Sequence, residues 1–203
     1  MAAKKPAKTT IAVAVAAETA ADALHRLHAF GVETSTKDSR FGEPMWFYTV
    51  TFGKPVSSAE IAKAEKRLGR PLPAQYIALV TKHGIPQVDY KPPGKGKKPS
   101  SAFPHDVVMP PSEIRVLADM YEEADLAHVP PKERVGVRVR MREAITWGQH
   151  NSGVRNYFVF DKQGHVHGCT HDSVFRWWPN QITLDEALIG WVNKLIREES
   201  EHL

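Results

Sequence analysis

The run Leu68-Gly69-Arg70-Pro71-Leu72-Pro73 leaves its stretch of chain few choices. Two prolines within three residues fix the backbone twice, remove two amide donors and forbid a continuous helix. Helical patterns lie on both sides. Upstream, Ser57 or Ser58 can cap a helix whose acidic residues Glu60 and Glu65 precede Lys66 and Arg67, the order a helix dipole favours. Ile61, Ala64 and Leu68 share one face of it, and Gly69 ends it. Downstream, Pro73 suits a first helical turn, Tyr76, Leu79 and Val80 supply an apolar face, and Gly84 is the stop. The reading is helix, rigid corner, helix, with Leu72 driven inward between two apolar faces.

Other segments are read from periodicity. Residues 1–10 form a basic leader, and Ile11 to Phe30 an amphipathic helix with Leu24, Leu27 and Phe30 spaced three apart, stopped by Gly31. Residues 1–40 are therefore set apart from a domain at 41–203. Trp46 to Phe52 has the aromatic and β-branched composition of a strand. Val88 to Pro104 reads as a mobile loop, and Pro110 to about Ala124 as a third helix. Val135, Val137, Val139 and Met141 alternate with Arg134, Arg138, Arg140 and Arg142, Gly136 breaking the polar set, the pattern of a strand with one face in solvent. Further strands are expected at Ala144–Trp147, Asn156–Phe160, His165–Cys169 and Val174–Trp178, with a polar loop at Gly148–Gly153 and a turn at Asp161–Gly164. A closing helix starts at Thr183, with Glu186 completing a capping box, and its acidic end reads as a solvent-facing tail. Helices first and strands after indicate an α+β domain.

Composition narrows the function classes. The chain has 203 residues, 42% hydrophobic and 25% charged, enough for a core without disulfide or metal. A single cysteine, Cys169, excludes an intrachain disulfide. The apolar run Ile11–Ala17 is short for a signal core and leads into Glu18, so a cytoplasmic protein is expected, with no membrane span. A net charge of +4 is too small to establish nucleic-acid binding, and no nucleic-acid partner is expected. The basic residues are nonetheless clustered. Lys91, Lys95, Lys97 and Lys98 lie in one loop and Arg138, Arg140 and Arg142 in one strand; with Trp147 these are the candidate residues for an acidic protein partner.

Chemistry has weaker candidates. His165, His167, Cys169 and His171 alternate, so a regular strand would put them on one face, a geometry open to zinc. The wet face of a strand explains the same spacing, and no metal or other cofactor is assigned. Cys169 as a nucleophile lacks a base close enough on its own strand. A magnesium nuclease around His150 and Asn151 would need more carboxylates than Asp161 and Asp172, and Asp161 fits a turn before Gly164. No glycine-rich nucleotide fingerprint is present: Gly94-x-Gly96 has no strand before it. The chain is read as a non-enzyme.

Glu65-x-x-Leu68-Gly69-x-x-Leu72-Pro73-x-x-Tyr76, closed by Gly84, resembles the N-terminal motif of the SMI1/KNR4 family, the SUKH superfamily. The run from Ile145 to Val166, with Gly153, Tyr157-Phe158-Val159-Phe160-Asp161 and Gly164, is similar to that family's glycine-aromatic-aspartate strand pair. His83-Gly84 stands where the family has Asn-Gly. The resemblance spans Trp46 to Leu195 and implies an α+β fold with a mixed, mostly antiparallel sheet flanked by helices. It also implies function by binding. Bacterial members are mostly immunity proteins that neutralise polymorphic or contact-dependent toxins, and fungal members act in cell-wall regulation. It carries over no catalytic residue, so Glu65, Leu68, Gly69, Leu72, Pro73, Tyr76, Gly84, Asp161 and Gly164 are expected to be structural. The expected partner is a toxin domain, with a regulatory or scaffolding role or a zinc-binding role as alternatives, and a homodimer is compatible with the sequence. An inhibitor of a nuclease gains from an acidic face. This basic chain suits a toxin whose contacting face is acidic or neutral.

Overall fold

A computed structural model describes residues 17–42, 45–91, 104–105, 108–120, 126–127, 129–151, 155–170 and 181–203. The elements are α1 (Ala20–Thr34), β1 (Phe47–Phe52), α2 (Ser58–Leu68), α3 (Ala74–Lys82), β2 (Pro86–Lys91), β3 (Pro104–His105), α4 (Pro131–Glu143), β4 (Ile145–Asn151), β5 (Arg155–Phe160), β6 (Val166–Thr170) and α5 (Leu184–Ser200). Two three-stranded antiparallel sheets, ordered β1-β2-β3 and β4-β5-β6, share one hydrophobic core with the helices. The fold is α+β, antiparallel sheets flanked by helices, as the composition indicates.

The helices begin where local chemistry satisfies their free amides. Thr183 caps α5 in a box with Glu186, as expected, and of the two serines open to cap α2 it is Ser57 that does so, in a box with Glu60. Gly69 ends α2 in the left-handed conformation at φ 67°. Thr19 forms a third box with Asp22, which places the start of α1 at Ala20 rather than near Ile11; residues 11–16 lie outside the described segments. Gly31 does not stop α1. The helix runs on to Thr34, and a Cβ on Gly31 would lie 1.7 Å from the carbonyl oxygen of Tyr48, so the glycine lets α1 press onto the backbone of β1. The buried Leu24 and Leu27 join α1 to the common core, and Ala20 donates its amide to Asp185 of α5.

Several expectations are corrected. The segment of alternating valines and arginines is helix α4, not a strand. Pro131 is suited to the first turn, and Arg134 fastens that turn by donating to the carbonyls of Val129 and Ala127. On a helix, alternate positions fall on opposite faces in i, i+4 pairs. Val137 and Met141 are accordingly buried, whereas Val135 and Val139 are 68% and 48% exposed.

The loop expected from Val88 is strand as far as Lys91, because β2 pairs with β1 and Val88 is buried opposite Val50; residues 92–103 lie outside the described residues. Pro110 to Met120 is not a helix but turns and one short 3-10 segment, Leu117–Met120. Its backbone is spent elsewhere: Val116 bridges Ile145, and Leu117 donates to the Ala144 carbonyl at 2.9 Å. The loop expected at Gly148 is strand as far as Asn151, paired with β5 after a register shift between Thr146 and Gly148. The end of α5 is not simply a solvent-facing tail. Glu199 is half-buried against Tyr90, and burial holds its carboxyl above the usual glutamate range. The strand expected at Val174–Trp178 lies outside the described residues.

Candidate functional site

The corner after α2 is assembled by side chains spent on backbone. Gly69 reverses the chain, and Arg70 donates its amide to the Glu65 carbonyl at 3.2 Å. The Glu65 side chain then accepts the Leu72 amide at 2.9 Å, a donor the prolines leave without a helical partner. Leu72 is 4% exposed. Tyr76 is buried one turn into α3, its hydroxyl donating to the Met109 carbonyl at 2.7 Å and its ring meeting Phe160 edge-on at 6.4 Å. Burial raises the pKa of that hydroxyl above the ordinary tyrosine range, which keeps it a donor. Gly84, at φ 89°, stands where a Cβ would lie 2.1 Å from the Gly53 carbonyl oxygen.

The second half of the family-like pattern folds onto this corner. Arg70 reaches across to donate to the carbonyls of Glu143 and Asp161, the latter at 3.0 Å. Gly164, at φ 87°, faces the ring of Pro73, whose carbons would lie 3.7 and 3.8 Å from an added Cβ. Two motifs about ninety residues apart in sequence thus meet as one corner.

Asp161 organises the turn between β5 and β6. Its Oδ1 accepts the amides of Gln163 at 2.9 Å and His165 at 2.8 Å. Its Oδ2 lies 3.3 Å from His165 Nδ1 and 3.0 Å from His167 Nε2, and a carboxylate only accepts, so each imidazole nitrogen donates its own N–H to it. Burial opposes ionisation of Asp161, but these hydrogen bonds outweigh it and hold the carboxyl below the usual aspartate range.

His165 and His167 do share a side of the chain, as period two requires, and that side is occupied by Asp161. Among the described residues no group of three or more His, Cys, Asp or Glu side chains could hold a metal ion. Cys169 is placed only by its backbone, opposite Tyr157, and His171 lies outside the described residues. Nothing in the described residues supports the zinc reading.

The described candidate docking residues lie on three different elements. Lys91 is half-buried with its Nζ 4.0 Å from Asp89, while Lys95, Lys97 and Lys98 lie outside the described residues. Arg138, Arg140 and Arg142 share no sheet face, because they are on α4, where neighbours two apart point in nearly opposite directions. Trp147 is 1% exposed, stacked on Phe158 and against Phe160 at 5.4 Å, so it belongs to the core and is no surface anchor. Period two puts it on the same side of β4 as the buried Ile145, the side on which Phe158 and Phe160 meet it.

Beside the corner lies a groove of about 480 Å³, lined by Arg70, Pro73, Arg142, Glu143, Lys162 and Gly164 among others. Arg70 and Lys162 were not singled out by sequence reasoning. The available signal for Arg70 was its position inside a proline-bracketed corner, where a long cationic side chain has to find remote partners.

No described helix is long and apolar enough to cross a membrane. No curated protein matches the chain. The model of the SMI1/KNR4 family (SUKH-1) matches residues 55–192, from just before the cap of α2 into α5. That span takes in both halves of the corner and most of the sequence, and the chain belongs to the SMI1/KNR4 family.

Proposed function

We propose that the protein is a non-enzymatic binding module of the immunity type, neutralising a polymorphic or contact-dependent bacterial toxin by covering its working surface. The observation that carries this reading is the family match across residues 55–192. The fate of the motif residues supports it. Glu65, Leu72, Tyr76 and Asp161 are consumed in capping the corner, filling the core and holding a turn, which leaves them engaged in structure and not in chemistry. A module built this way inhibits by occlusion, and its affinity depends on the fit of exposed side chains. The cell interior is the proposed site of action, where an incoming toxin domain would be met.

The test starts from the adjacent coding sequence: a multidomain toxin found there is co-expressed with this chain, and calorimetry follows on the purified pair. Cell survival together with a stoichiometric complex is the expected result. Cell death with no measurable heat would overturn the toxin reading. Stable capture of a non-toxin regulator would instead support a scaffolding role.

A further inference from the structure

We propose that the outer stripe of α4 and the groove at the corner form one docking surface, and that it receives an acidic, partly apolar segment of the protein partner. This rests on the reading of the chain as a binding module. Val135, Val139 and Arg142 follow i, i+4, i+7 spacing, so they line one face of the helix. Both valines are exposed, as is Arg142, which lies at the mouth of the groove.

The charges in the groove favour a carboxylate. Arg142 has no hydrogen bond or ion pair among the described residues. The Arg70 guanidinium spends its hydrogen bonds on carbonyl oxygens, which leave its positive charge unneutralised by direct contact. Lys162 is two-thirds exposed and only loosely paired, at 3.6 Å, with Glu143. Asp161 is turned inward toward His165 and His167. Asp161 and Glu143 both act electrostatically on Arg70, so three cations meet two carboxylates, of which Glu143 is the more exposed, and the balance stays positive.

A nucleic-acid backbone suits this surface less well. Glu143 sits among the cations and would repel a run of phosphates, and two aliphatic side chains continue the site where a phosphate binder would carry more cations. A peptide alternating acidic and aliphatic residues satisfies both parts. Its carboxylates lie between Arg142, Lys162 and Arg70, and its aliphatic groups cover Val135 and Val139.

The experiment is fluorescence anisotropy with the intact chain and a labelled peptide alternating glutamate and leucine. Saturable binding is expected, weakened about tenfold by Arg142→Glu and by Lys162→Glu. Lys194→Glu on α5 changes the net charge equally and should leave binding within about twofold. Circular dichroism checks that all three variants fold. Absence of saturable binding, equal weakening by the Lys194 variant, or tighter binding of a single-stranded oligonucleotide of the same length would each overturn the proposal. If a toxin complex is in hand and survives Arg142→Glu unchanged, this surface is refuted while the binding function stands. If no toxin complex forms but the peptide titration behaves as expected, the surface stands and the toxin assignment fails.

Discussion

The corner between α2 and α3 and the helix α4 lie against each other and use arginine in opposite ways. At the corner, Arg70 is committed to two carbonyls of distant segments. On α4, Arg142 points outward beside two exposed valines. The first region is held by long-range hydrogen bonds around a buried leucine, whereas the second contributes one face to the core and leaves the other available. The contrast separates what makes the fold from the surface proposed to meet a partner. Residues carrying the family pattern sit in the first region, and partner recognition is assigned to the second.

The largest expected effect comes from emptying the corner. Leu72→Ala should cost about 3 kcal/mol in denaturant unfolding, the usual range for a leucine whose cavity cannot collapse. A loss below about 1 kcal/mol would show that the corner is not the rigid element described.

Next is Asp161→Ala, which removes the acceptor of four hydrogen bonds and should cost about 2 kcal/mol at neutral pH. It should also change the acid limb of the stability curve. The folded carboxyl titrates below its unfolded value, so its contribution is complete above the ordinary aspartate pKa and is lost as pH falls through the depressed folded one. The variant should therefore show a shallower decline on acidification than the parent protein. A decline of equal slope would remove Asp161 from the account.

Glu65→Ala should cost about 1 kcal/mol by stripping the Leu72 amide of its acceptor. Smallest of all, Val139→Ser on the outer face of α4 should move stability by no more than about 0.5 kcal/mol. A large loss there would abolish the distinction between the two regions.

The corner was legible in the sequence because its signals are local and stiff. Gly69, the bracketing prolines, and Ser57 with Glu60 each restrict only a few dihedral angles and leave little for tertiary context to decide. The boundaries of β1, α2, α3 and α5 follow for the same reason. Helix α4 was misread because alternation of valine and arginine satisfies a half-buried strand as well as a helix with apolar pairs on both sides. Burial of Val137 and Met141, a property of the assembled core, decides between them. The stretch before Met120 failed differently: its helical spacing is real, but its amides bond the segment leading into β4 and β4 itself. In the candidate site, His165 and His167 were legible as neighbours, but their engagement with Asp161 depends on how tightly the turn closes. The burial of Trp147 is a property of the assembled core: which side of β4 is covered is decided by elements remote in sequence.

The contact between α1 and β1 covers one edge of the first sheet. In the order β1-β2-β3, β1 is an edge strand, and beyond it the amide of Val50 is met by the ring of His28 at 3.1 Å, while Gly31 brings the helix down onto Tyr48. The helix thus sheathes a border that would otherwise offer open pairing positions to any passing strand. A chain shortened past Phe30 would lose that sheath and tend toward self-association, even with every motif of its family still present.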